Sequence, residues 1–514
     1  MKFLNYLLVL LFSVPTILPL FRPGFFLSDD GEWMIVRLGA FFEALRSGQI
    51  PVRFLINLNY NFGYPLSDFA YPGFLYIGSF FHVLGFGFID SIKLVIALSL
   101  ILGSVFTYLF LRKKFDNLPA LVGSFVYLYT PYHLFDLYKR GSVGELLAIS
   151  VIPFLFFQIE RRSKFLTAIG VFALILAHNS IALITLPFIF LYAVIINKET
   201  IRKSIVGFLT PFVLGVLMSA FFSIPSAYDL RYIVFQGLKI ADWRLFFADL
   251  NIFGISGVAI LSLGLFIVYK NRKRRSPENF FFIAIIFYVI FMGTSIGTIV
   301  WNIFPTSFII FPFRFLSILP IGLAFVSALV ISEYKKSTRI ALVVFIIGIS
   351  FYSSLKYLTP QRYLDRTDDF YLTNFATTTA NDEYMPRWVK EKPSKFVFEK
   401  TEIVEGEAKV ENVIFSSKTI SFNAISNEDS KIRVNAIYFP GWTALVNGKS
   451  VSIDYGNKGG LMEINVPKGE SSTVITFSET PVRLMSDVIS ILSFLLVLGI
   501  FLKEFTLRRT LKRK

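Results

Sequence analysis

Residues 91–114, SIKLVIALSLILGSVFTYLFLRKK, set a long apolar run directly against three basic residues. A helix rises 1.5 Å per residue and bilayer hydrocarbon is about 30 Å thick, so about 20 apolar residues suffice to cross it. Working outward, similar runs occur at roughly 3–21, 119–137, 145–160, 164–178, 181–197, 204–226, 251–269, 280–300, 312–331, 339–358 and 484–502, which gives an expectation of twelve spans. The basic clusters Arg112–Lys114, Arg161–Lys164, Lys198–Lys203, Lys270–Arg275, Lys335–Arg339 and Arg508–Lys514 all fall on the cytoplasmic side if the N-terminus is inside. The first run follows a lone Lys2 and has no small-residue cleavage site, so it is expected to remain as an anchor.

Composition agrees with this pattern. Of 514 residues, 54% are hydrophobic and 17% charged, against about 25% charged in soluble domains; a soluble enzyme with one anchor is excluded. The net charge of +16 comes from 51 basic and 35 acidic residues. The basic residues are spread along loops rather than gathered on one folded face, which argues against a nucleic-acid partner. The absence of cysteine removes disulfides, thiol nucleophiles and thiolate-bound metals.

Two stretches stand outside this pattern. Tyr71–Phe88 is apolar, but counting it as a span would invert every later basic cluster. It is rich in Tyr, Phe and Gly and contains His82, so it is expected to lie at the interface or re-enter. It forms part of a long first outer loop, residues 22–90. The second stretch, residues 359–480, reads as strands at Ala408–Phe415, Thr419–Ile425, Ile432–Tyr438, Ser450–Asp454, Leu461–Val466 and Thr473–Phe477, with Asn447-Gly448 as a hairpin turn. The expected architecture is a transmembrane unit (1–358), a small outer antiparallel β-sandwich region (359–480), and a last span with a basic cytoplasmic tail (481–514).

Ionisable groups beside spans are costly and suggest function. On this topology Asp29, Asp30, Glu32, Asp68, Asp136, Glu145 and Asp229 lie near the outer face, with His82, His133 and His178 and the basic residues Arg37, Arg53, Lys139, Arg140, Arg231 and Arg314. Carboxylates, imidazoles and guanidinium groups at one face describe a polar cavity. Asp29-Asp30-Gly31-Glu32 offers a general base, or oxygen ligands for a divalent cation such as Mg or Mn; it is equally a capped, acidic helix start. Arg140 and Lys139 suit phosphate oxygens, or snorkel at the interface. Arg314 sits in Phe311-Pro312-Phe313-Arg314-Phe315 with no carboxylate nearby in sequence, as an unpaired cation for a lipid phosphate or a headgroup. Glu145, His178, His133 and Asp68 are further cavity candidates, although a lone histidine is more often structural.

The order Asp29-Asp30-Gly31-Glu32, Arg37, Ser47-Gly48-Gln49-Ile50-Pro51-Val52-Arg53, Gly63-Tyr64-Pro65-Leu66, Phe69-Ala70-Tyr71-Pro72 resembles the first outer loop of a bacterial and archaeal membrane family labelled pyruvoyl-tetrahydropterin-synthase-related, within the GT-C superfamily of polytopic glycosyltransferases. Pro131-Tyr132-His133, Tyr138 to Glu145, Leu176-Ala177-His178, Phe221 to Pro225, Phe311 to Phe315, Glu383-Tyr384-Met385-Pro386 and Phe439-Pro440-Gly441-Trp442 extend the likeness along nearly the whole chain. Ala70 and Ser67-Asp68 depart from the family's usual residues. The resemblance implies juxtamembrane helices in the first loop, an outward-facing cavity in the cytoplasmic membrane and a polyprenyl-phosphate-linked sugar donor. It also implies a first-loop aspartate, Asp29 or Asp30, as the base of an inverting transfer. Arg314, Arg140 and Arg37 would hold the donor phosphate; the acceptor is a glycan, wall polymer or protein. Two other readings are a lipid-linked saccharide flippase, which needs charges at mid-membrane depth and broken helices in repeated halves, and a non-catalytic surface scaffold.

Overall fold

The computed structural model describes residues 2–197, 201–237, 243–303 and 311–512, so residues 198–200 and 513–514 of two basic clusters lie outside the described residues. Among the described residues, six helical segments are long and apolar enough to cross a membrane: Phe3–Phe21, Phe88–Leu111, Val143–Glu160, Pro312–Glu333, Lys336–Tyr357 and Pro481–Lys503. A seventh is formed if Arg202–Met218 and Ala220–Tyr232, which meet at a 64° bend, are counted together.

The expectation of twelve spans is not confirmed by this count. The segment expected at 119–137 folds as the shorter helix Asn117–Leu128; those expected at 164–178 and 181–197 fold close to those bounds, as Lys164–Ala177 and Asn179–Ile195; and those at 251–269 and 280–300 fold as the 17-residue helices Gly254–Lys270 and Pro277–Gly293. The first stops before Thr130-Pro131, because proline cannot donate to the preceding turn; a new short helix starts at Pro131. His178 separates the next two. Its backbone is extended (φ −165°, ψ 106°), and its Nδ1 accepts from the Ile181 N–H, so the imidazole caps the helix that follows. Apolar composition counts residues, whereas helix length depends on such breaks.

The Leu319–Glu333 helix is buried continuously from Leu319 to Ile331 and forms the centre of the bundle. A helix apolar all round has to be enclosed on every side. It packs against Asn117–Leu128, Gly254–Lys270 and Pro277–Gly293, while Val143–Glu160 packs against Phe88–Leu111 and Lys164–Ala177.

The first loop contains the helices Gly31–Arg46, Leu66–Phe69 and Gly73–Val83. Gly73–Val83 has 11 residues, about 16 Å at 1.5 Å per residue, too short to cross. Above it lies a two-sheet β unit. Five strands pair in the order Ala408–Phe415, Thr419–Ser426, Gly469–Phe477, Trp442–Val446, Lys449–Val451, and three in the order Thr401–Glu405, Ser430–Ile437, Leu461–Val466, all antiparallel. Asn447 and Gly448 both have positive φ (50° and 75°), the backbone that a tight two-residue hairpin turn requires.

The two sheets do not enclose their core alone. Ile420, Phe422, Val434, Ile464 and Phe477 share one buried cluster with Phe54, Ile56 and Phe69 of the first loop. Polar links flank it: Gln49 Nε2 donates to the Ser417 carbonyl (2.7 Å), Lys418 Nζ to the Gly48 carbonyl (2.6 Å) and the Ile437 N–H to the Phe62 carbonyl (2.7 Å). The β unit and the loop thus form one body.

A buried ion network ties this body to the last helix. Arg483 is fully buried; it donates from Nε (3.0 Å) and Nη2 (2.8 Å) to Asp229 Oδ2, from Nη2 to Asp68 Oδ2 (3.2 Å) and from Nη1 to the Pro440 carbonyl (2.8 Å). Arg53 Nη1 lies 3.5 Å from the other Asp68 oxygen. Removing one partner of a buried pair leaves an uncompensated charge and costs about 3–5 kcal/mol. Arg483→Met is therefore expected to lower the detergent melting temperature sharply, with partial recovery in the Asp68→Asn/Arg483→Met double variant; thermal unfolding followed by tryptophan fluorescence checks both.

Candidate functional site

The Asp29–Glu32 segment lies alongside the Tyr138–Glu145 loop. The Asp29 N–H donates to the Lys139 carbonyl (2.9 Å) and the Asp30 N–H to the Arg140 carbonyl (2.8 Å). This approach needs Gly141, whose φ is +67°; a Cβ there would stand 2.3 Å from Ser28 Oγ and 2.8 Å from the Gly31 nitrogen.

From this common edge the three acids diverge. Asp29 accepts from Lys139 Nζ at 2.7 Å, and both side chains are about half exposed. Glu32 accepts from Arg366 Nη1 (2.6 Å) and from the Tyr371 hydroxyl (3.0 Å). Asp30, at the start of Gly31–Arg46, faces Arg140 with 4.0 Å between Oδ2 and Nη2. Arg37 is seven residues further along, almost two full turns, so it falls on the same helix side as Asp30. Arg37 is held by Thr378, through Nε to Oγ1 (3.0 Å) and through Nη2 to the carbonyl.

Glu145 is the centre of the cation arrangement. It is completely buried; Oε2 accepts from Arg140 Nη1 (2.6 Å) and Oε1 from Arg314 Nε (2.9 Å), with His178 Nε2 3.8 Å away. Arg140 also donates to Asp136 Oδ1 (2.5 Å). Its guanidinium lies 4.2 Å from the Phe313 ring centre, and that of Arg314 lies 4.6 Å from Phe311, geometries in which the aromatic faces help hold the cations. Tyr71 stacks on His178 at 4.1 Å between ring centres.

The charges of Arg37 and Arg314 both act on Asp30, Tyr71 and Tyr384. Burial raises the pKa of Asp30 above the ordinary carboxylate value, an effect that Arg140 and then Arg37 partly offset. A carboxyl so shifted is a stronger proton acceptor once ionised.

The structure thus brings Asp30, Arg37, Arg140, Arg314, Glu145 and His178 together. The reading of Arg314 as an unpaired cation is corrected: its carboxylate is Glu145, 169 positions away in sequence. Asp68 belongs instead to the Arg53–Arg483 network. His133 is a buried structural residue, its Nδ1 3.1 Å from the Tyr127 carbonyl. The proposed divalent site at Asp29 and Asp30 does not fit either, since the two carboxylates face Lys139 and Arg140 respectively. Among the described residues no three acidic or histidine side chains converge as metal ligands. Tyr71, Thr378 and Tyr384 were missed as site residues, although Tyr71 and Tyr384 lie in motifs that carried the family resemblance.

Residues 69–359 match the family described as 6-pyruvoyl-tetrahydropterin synthase related domain, membrane protein. The chain belongs to this family. The matched span contains Arg140, Glu145, His178 and Arg314; Asp30 and Arg37 precede it. An uncharacterized protein of Lactococcus lactis subsp. cremoris (strain MG1363) is 25% identical over 244 residues, covering 44% of this chain and 40% of the relative. Among solved structures, the mycobacterial arabinofuranosyltransferase AftD is similar with a TM-score of 0.46 at 12% identity, over 71% of this chain and 27% of that one. The Archaeoglobus fulgidus oligosaccharyltransferase gives 0.43 at 14% identity, over 74% and 60%. The chain therefore spans less than two thirds of these relatives' lengths.

Because Glu145 is the shared counter-ion of Arg140 and Arg314, Glu145→Ala strands Arg314 and leaves Arg140 with Asp136. It is expected to destabilise the protein by about 3–5 kcal/mol, and more than Asp29→Ala, whose exposed pair contributes at most about 1 kcal/mol. Melting curves of the two variants in the same detergent make the comparison.

Proposed function

We propose that this protein transfers a sugar from a polyprenyl-phosphate donor to a hydroxyl acceptor at the extracytoplasmic membrane face, with inversion. The observation that carries the reading is Asp30: one carboxylate of raised pKa, beside Arg140 and within the fields of Arg37 and Arg314. Asp30 takes the acceptor's hydroxyl proton as its oxygen bonds to the anomeric carbon. The bond from that carbon to the donor phosphate oxygen breaks, and the polyprenyl phosphate leaves with the electron pair. Arg314 gives only Nε to Glu145, which leaves its Nη groups to donate to the phosphate. With Arg140 and Arg37 it would offset the leaving charge, which is the kind of fixed electrostatic stabilisation that speeds such steps. The N- and C-termini are cytoplasmic in this reading, in line with the positions of the basic clusters.

Asp30 is preferred over Asp29 as base because Asp29 is engaged by Lys139. With a polyprenyl-phosphate sugar and purified protein, Asp30→Asn is expected to lower transfer at least about 100-fold, the lower end of what a general base contributes, while Asp29→Asn stays within a few-fold of wild type. Full activity in Asp30→Asn removes the assignment. The pH profile gives a second check. The base works ionised, so transfer falls as pH drops through the raised pKa of Asp30. The acid limb is therefore expected above the range of an ordinary aspartate, and is to be measured as kcat/KM against pH.

A further inference from the structure

A second cavity, of about 800 Å³, opens where the first span ends and the second begins. Its lower wall is apolar: Ile17, Leu20 and Phe21 from one span, and Leu94 and Ala97, beyond Lys93, from the other. Ile89 to Ala97 spans eight rises of helix, about 12 Å, from the charged rim down into this wall. The upper rim is charged and carries both signs, from Arg22, Asp90, Lys93 and the segment Asp365–Asp369.

Several of these charges already have partners. Asp368 accepts from the Phe88 and Ile89 N–H groups (2.8 and 2.9 Å), capping the second span. Arg366 is paired with Glu32, and Lys93 donates to the Arg22 carbonyl at 2.8 Å with Asp90 3.5 Å away. Arg22 lies over the Tyr363 ring (5.0 Å), and its guanidinium makes no ion pair among the described residues. The exposed carboxylates of Asp365 and Asp369 likewise have no ion-pair partner there.

A cavity with an apolar wall between two spans, under a rim with one cation and two carboxylates to spare, suits a single lipid of mixed headgroup charge. We infer that it binds one zwitterionic aminophospholipid. An acyl chain enters against Leu94 and Ala97, the phosphate meets Arg22, and the ammonium meets Asp365 and Asp369. The extra carboxylate discriminates against an anionic headgroup. Because Asp368 and Arg366 fasten the same segment to the second span and to Glu32, the bound lipid braces the support of the Gly31–Arg46 helix.

Native mass spectrometry of the full-length protein in detergent, with dioleoylphosphatidylethanolamine or dioleoylphosphatidylglycerol added, tests this. One phosphatidylethanolamine is expected to be retained per chain. Retention should weaken at least tenfold in Ala97→Trp, which fills the apolar wall, and in the rim variant Asp365→Asn/Asp369→Asn. If Ala97→Trp does not fold, the rim variant, which alters only exposed side chains, decides. Absence of stoichiometric retention overturns the proposal, as does phosphatidylglycerol binding as tightly as phosphatidylethanolamine, or unchanged retention in either folded variant.

Discussion

A single buried carboxylate organises the polar side of this protein. Glu145 lies at the start of a membrane helix, where the helix dipole favours an anion, and its two oxygens take guanidinium groups from two separate elements. Neither arginine could stay so far from water alone, because an unpaired buried charge costs several kcal/mol. Arg140 has Asp136 as a second carboxylate partner, whereas Glu145 is the one carboxylate that Arg314 pairs with among the described residues.

The remaining architecture keeps this arrangement in place. The helix bearing Asp30 and Arg37 is tied to the Tyr138–Glu145 loop by backbone hydrogen bonds at one end. Thr378 grips Arg37 from above. Glu32, the third acid of the opening motif, contributes by anchoring Arg366 and Tyr371. The acidic string therefore combines one carboxylate facing Arg140 with two that pair with Lys139 and Arg366.

Much of this was legible in the sequence where the deciding contacts are local. Arg140 and Glu145 are five residues apart on one tight loop, and Asp30 and Arg37 repeat at helical spacing, so their proximity follows from short-range geometry. Alternation marked Leu461–Val466 and the Asn447-Gly448 turn within the β unit. The pairings that escaped are long-range. Arg314 with Glu145, and Asp68 with Arg483, join positions 169 and 415 apart, and nothing in either neighbourhood names its partner. One run was read too long for another reason: the helix that starts at Asn117 stops at Leu128, before Pro131, inside a run that remains apolar. The exposed strand Thr401–Glu405 carries no apolar alternation to mark it.

The core shared between the first loop and the β unit also bears on how the chain is made. Gln49 and Ser417 are 368 positions apart, and Phe54, Ile56 and Phe69 await strands synthesised long after them. Contacts of such long sequence separation form late and slowly. Until then the nascent loop holds its aromatic side chains uncovered, in the kind of intermediate that aggregates or needs a chaperone. The loop's apolar face is thus covered only once the much later strands close over it.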